Sequence, residues 1–103
     1  MLVRCLANCL ISFDRSHDRK TRDYINDGLS LYNTGAYQKS IQAAQAALKL
    51  QPDSAIAYNN ICTAYNQMKQ WDQAIAACGR ALAIQPDFEL AKNNLRVAQE
   101  RKP

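Results

Sequence analysis

LQPDSA at residues 50–55 and IQPDFE at residues 84–89 are near-copies, and they place Pro52 and Pro86 thirty-four residues apart. Laid on that period without gaps, Tyr24 aligns with Tyr58, Gly28 with Cys62 and Tyr37 with Trp71. The register continues through Ile41 and Ile75, Ala47 and Ala81, Leu48 and Leu82, and Leu50 and Ile84. All of these pairs keep their size or polarity class, whereas Asp27 with Ile61 does not. A period of this length signals a stacked repeat in which each unit is one supersecondary element.

Apolar spacing inside each unit is helical. Tyr58, Ile61, Cys62 and Tyr65 follow the i, i+3, i+4, i+7 stripe of an amphipathic helix. Trp71, Ala74, Ile75, Cys78, Ala81 and Leu82 form a second stripe. QMKQ (67–70) separates the two, and its counterpart NTGA (33–36) carries Gly35, suited to a left-handed helix C-terminus. Each second helix ends before a proline, and Asp53 or Asp87 is expected to cap the helix that follows. Small residues at Gly28, Ser40, Cys62 and Ala74 let antiparallel helices approach closely.

The protein has 103 residues, 48% of them hydrophobic and 21% charged, enough for one small domain with a modest core. Its net charge of +4 is concentrated at the ends: residues 1–22 and 92–103 each sum to +3, while 23–91 sum to −2. A nucleic-acid binder more often carries a basic stripe with aromatic platforms, so no nucleic acid is expected. The most apolar segment, residues 2–13, is too short to span a membrane and contains Arg4. Leu2, Leu6, Cys9, Leu10 and Phe13 share one helical face there, which leaves two readings open: an extra helix or self-association surface able to form a homo-oligomer, or a disordered segment.

Catalytic constellations are absent. His17 lies in a hydrophilic linker, the three glycines are scattered, and Asp14, Asp18, Asp23 and Asp27 stand among basic residues as solvated ion pairs. Cys5, Cys9, Cys62 and Cys78 lack metal-ligand spacing, so no metal site and no cofactor are expected. Cys62 and Cys78 are read as small hydrophobes at helix contacts, without a disulfide framework, and a cytoplasmic location follows.

These residues resemble the tetratricopeptide repeat family. The match lands on Tyr24 and Tyr58, Gly28 and Cys62, Ser40 and Ala74, Ala47 and Ala81, and the closing Pro52 and Pro86. Asp27, Ser40 and Lys92 depart from the family pattern. The resemblance implies an all-α fold: antiparallel helix-turn-helix repeats in a short right-handed α-solenoid. It divides the sequence into an N-terminal tail or extra helix (1–20), two repeats (21–54 and 55–88) and a C-terminal capping helix (89–103).

The same resemblance implies that the first helices of successive repeats line a concave groove for a peptide or protein partner. Its expected residues are Asn26, Leu29, Tyr32, Asn59, Asn60, Thr63, Asn66 and Asn94. An amide both donates and accepts, so this lining suits a peptide backbone. Relatives that clamp a chaperone C-terminus use cations and asparagines at positions filled here by Ile25, Leu29, Leu90 and Asn94, so that clamp is largely missing. In glycosyltransferase-associated superhelices a stacked asparagine holds substrate, and Asn26, Asn60 and Asn94 fall at that position. Duplication of a common residue choice is the alternative account of their recurrence. The expected function is a non-catalytic protein–protein interaction module. The alternative is a self-associating or tethering module, a fragment of a larger bacterial protein.

Overall fold

A computed structural model describes residues 19–103. The segment 2–13, the acidic residues Asp14 and Asp18, Cys5, Cys9 and His17 lie outside the described residues. Five helices follow one another: α1 (Arg19–Asn33), α2 (Tyr37–Leu50), α3 (Ala55–Gln67), α4 (Trp71–Ile84) and α5 (Glu89–Arg101). No strand occurs among the described residues. The fold is all-α. α1 packs on α2 and α3 on α4, while α3 also touches α1 and α5, so the first helices form one continuous layer.

Two equivalent turns build the helix pairs. At the end of α1, the Gly35 N–H donates to Tyr32 O (2.9 Å) and the Ala36 N–H to Leu31 O (2.9 Å). At the end of α3, the Lys69 N–H donates to Asn66 O (3.1 Å) and the Gln70 N–H to Tyr65 O (2.9 Å). Both are Schellman closures, which require one left-handed residue. Gly35 supplies it at φ 85° and Lys69 at φ 60°. Helix starts differ from expectation by one residue. Ser54 caps α3, its side chain accepting from the Ala57 N–H at 3.2 Å, and Phe88 precedes α5 with no side-chain cap. The proline–aspartate pair closes one unit, and the residue after it opens the next.

The core is built largely from alanine, which lets the helices approach closely. Ala44, Ala47, Ala57, Ala64, Ala74, Ala81, Ala91 and Ala98 are all fully buried, with Ile41 the largest side chain among them. At Gly28 an added Cβ would meet Ser40 O at 3.4 Å and Ala43 Cβ at 3.6 Å. The Ser40 hydroxyl donates to Gly28 O at 2.8 Å across the same contact.

The second helix pair handles the equivalent contact differently. Cys62 stands thirty-four residues after Gly28, and Cys78 thirty-four after Ala44. The two are joined in a disulfide, with Cα atoms 5.3 Å apart, and both are fully buried. The expectation of two free thiols is therefore corrected. Crossing helices bring these Cα atoms within the range of roughly 4.4–6.8 Å that a disulfide spans.

Candidate binding groove

α1, α3 and α5 present one face in which a central pocket of 210 Å³ is lined by Leu29, Tyr32, Ser40, Asn59, Asn60, Thr63, Leu90 and Asn94. Six of the eight residues expected from the sequence meet there: Leu29, Tyr32, Asn59, Asn60, Thr63 and Asn94. Helical spacing explains the convergence, since Asn59, Asn60 and Thr63 lie within about one turn of α3. Leu29 and Leu90 form walls and remain 44% and 56% exposed. Sequence reasoning misses Leu90 as a wall residue, because at its position the family pattern registers only the lack of a cation.

A second pocket of 270 Å³ adjoins the first and shares Tyr32, Thr63 and Asn94 with it. Asn66 lines this one, together with Gln67, Lys69, Trp71, Val97 and Arg101. A third, of 370 Å³, is lined in part by Arg22, Ile25, Asp53, Ile56 and Ile84. Asn26 is exposed and lines none of these three.

Hydrogen bonding separates asparagines that look alike in sequence. The Asn94 amide donates to Asn59 Oδ1 at 2.9 Å and to Thr63 Oγ1 at 3.0 Å, which uses both its protons. Asn66 Nδ2 donates to Asn94 O at 3.0 Å, and the Thr63 hydroxyl donates to Asn59 O at 2.9 Å. The three bonds that involve Asn94 fasten α5 to α3 beneath the groove. Asn60 is left over: its Nδ2 is buried without a partner, as is Asn66 Oδ1. A buried polar group without a partner costs about 1–3 kcal/mol, so a ligand that supplies one has that much to recover.

Asn94→Ala removes two donors and strands Asn59 Oδ1. It is expected to lower the unfolding free energy by about 1–2 kcal/mol in a urea titration. Asn26→Ala, at an exposed site, should stay within about 0.5 kcal/mol of the parent. Equal effects would refute the division of roles.

Comparison with known proteins fits this geometry. Residues 55–88 match the tetratricopeptide repeat family. Those residues, α3, α4 and the turn between them, are a tetratricopeptide repeat. The described residues have the tetratricopeptide repeat fold, as two of three similar solved structures make plain. One is the second tetratricopeptide repeat domain of Spaghetti (RPAP3), bound to the HSP90 peptide SRMEEVD. It is 16% identical with a TM-score of 0.77, covering 80% of this protein and 76% of that one. The first such domain of Spaghetti (RPAP3), bound to the same peptide, is 20% identical with a TM-score of 0.77, over 80% of this protein and 65% of that one. The Yersinia enterocolitica type III secretion translocator chaperone SycD is 17% identical with a TM-score of 0.64, over 84% of this protein and 80% of that one. No curated protein sequence matches this one. Tetratricopeptide repeats are protein-interaction scaffolds.

Proposed function

We propose that the protein is a non-catalytic interaction module that holds a peptide or protein segment in the groove of α1, α3 and α5. The observation that carries this reading is the central pocket itself. Exposed Leu29 and Leu90 wall a floor where Asn60 Nδ2 has no partner. Apolar side chains of a bound segment gain about 25 cal/mol for each Å² buried against such walls. A backbone carbonyl of the same segment satisfies the Asn60 donor. Asn26, Leu29, Tyr32, Asn59, Asn60, Thr63, Asn66 and Asn94 are the residues assigned to the groove, with Asn59 and Asn94 holding its floor rather than the ligand. Two solved relatives of the fold carry a peptide, which agrees with this reading.

No described helix is long and apolar enough to cross a membrane. On compartment, the Cys62–Cys78 bond argues against the cytoplasmic expectation, because such bonds persist in oxidising surroundings.

The test is a pull-down followed by titration calorimetry with the partner identified. Leu29→Asp combined with Leu90→Asp should reduce affinity at least about tenfold, since two charges must then be desolvated against apolar side chains. Both leucines are substantially exposed, so melting should barely move. A partner that binds the double variant as well as the parent would overturn the assignment.

A further inference from the structure

We propose that the third pocket is a docking site for this chain's own residues 2–13, which lie across it as an amphipathic helix and close that end of the groove. The occupant is covalently attached, so this docking is independent of whether a partner binds the central pocket.

Five large apolar side chains are exposed among the described residues: Leu29, Leu50, Ile56, Ile84 and Leu90. Leu29 and Leu90 wall the central pocket, which leaves Leu50, Ile56 and Ile84 without a role there. Ile56 (50% exposed) and Ile84 (39%) meet in the third pocket, together with partly buried Ile25. Leu50 stands beside the lining residue Gln51. Single exposed apolar residues are ordinary on a protein surface, but a cluster around a hollow of 370 Å³ marks a contact site. The lining carries one charge of each sign, on Arg22 and Asp53, so the hollow selects apolar surface rather than a charged partner.

The chain itself supplies a matching surface. Leu2, Leu6, Cys9, Leu10 and Phe13 fall on one helical face and Arg4 on the opposite one, so that face is buried while Arg4 stays in water. Reach is sufficient. Phe13 precedes Arg19, the first residue of α1, by six positions, and six residues span at most about 20 Å. The lining residues Arg22 and Ile25 lie three and six residues into α1, within about 10 Å of its start. Residues 14–18, DRSHD, are polar throughout, as suits a connection across the surface.

Other surfaces within the same reach fit less well. Asp23, Asp27 and Ser30 make one exposed, polar face of α1, where an apolar helix gains little. The central pocket lies one turn further along α1 and α3, and leucine or phenylalanine would leave its Asn60 donor unsatisfied.

Cys9 is a built-in probe of the contact. With Cys62 and Cys78 bonded, Cys5→Ser leaves Cys9 as the sole free thiol of the full-length protein. Its alkylation by iodoacetamide is followed by mass spectrometry, each rate taken relative to that of the same variant in urea. In the Cys5→Ser parent, Cys9 should react at least about tenfold more slowly than after Ile56→Asp with Ile84→Asp, which puts two charges into the pocket. Leu6→Asn with Leu10→Asn should release Cys9 equally while leaving the repeats untouched. Leu29→Asp with Leu90→Asp, in the central pocket, should keep the parent's rate. Protection should hold constant over a hundredfold range of protein concentration, and Ile84→Cys should cross-link to Cys9 through a short bis-maleimide within one monomer. If Cys9 of the parent reacts as fast as in the Ile56→Asp, Ile84→Asp protein, the segment does not dock there and the proposal fails. Release of Cys9 by the central-pocket pair instead would move the segment to that pocket and overturn the assignment. Protection that rises with concentration, with cross-links between chains, would give the site to a second copy and overturn it equally.

Discussion

Reduction of the Cys62–Cys78 disulfide is expected to lower the unfolding free energy by about 3 kcal/mol, the figure for a closed loop of about 15 residues. The bond joins positions 16 apart in sequence, from α3 to α4, so reduction frees the whole second hairpin in the unfolded state. For a domain of this size the loss corresponds to a Tm drop of roughly 12–24 °C. Both sulfurs are fully buried, so the reductant must be introduced under denaturing conditions and the protein refolded before melting is compared. Cys62→Ala with Cys78→Ala should melt near the reduced protein and be indifferent to reductant. Peptide mapping without reduction should recover a Cys62–Cys78 cross-link. Native protein that melts identically with and without reductant, and yields both cysteines alkylated, would refute the bond.

Ile41→Ala is expected to cost about 3 kcal/mol, within the range for truncating a buried isoleucine. Ile41 is fully buried and lies in a cluster that includes Ala44, Ala57, Ile61 and Cys62. Alanine neighbours on rigid helices have little side chain to move into the cavity, which keeps the cost above simple transfer. Ile75 occupies the same place in the next repeat but is only partly buried. Ile75→Ala should therefore cost roughly half as much, about 1.5 kcal/mol. Urea unfolding of the two variants decides it, and equal losses would show that the repeat register, not burial, sets the energy.

Much of the fold is legible in the sequence because its determinants are local. Helical stripes at Tyr58, Ile61, Cys62 and Tyr65, turn residues such as Gly35, and prolines thirty-four apart need only short-range sterics and periodicity. Helix caps are less legible: Ser54 rather than Asp53 opens α3, a shift of one residue that hydrogen-bond geometry decides. Groove membership is largely legible as well, since the same register that packs Tyr58 and Ile61 against the core turns Asn60 and Thr63 to the shared face. What periodicity treats as one rung, Asn26, Asn60 and Asn94, has three fates. Asn26 is exposed, Asn60 has an unspent donor, and Asn94 is consumed by Asn59 and Thr63.

By itself the sequence determined the helices, their thirty-four-residue repeat and the close contact at Gly28 and Cys62. Each follows from spacing and side-chain size along a single stretch of backbone. Only tertiary structure decided that Cys62 meets Cys78 at 5.3 Å, and that Lys69 and Arg101 face a common pocket. Such relations join residues 16 or 32 positions apart. Their distance is set by how helices cross and stack, a quantity that no local pattern contains.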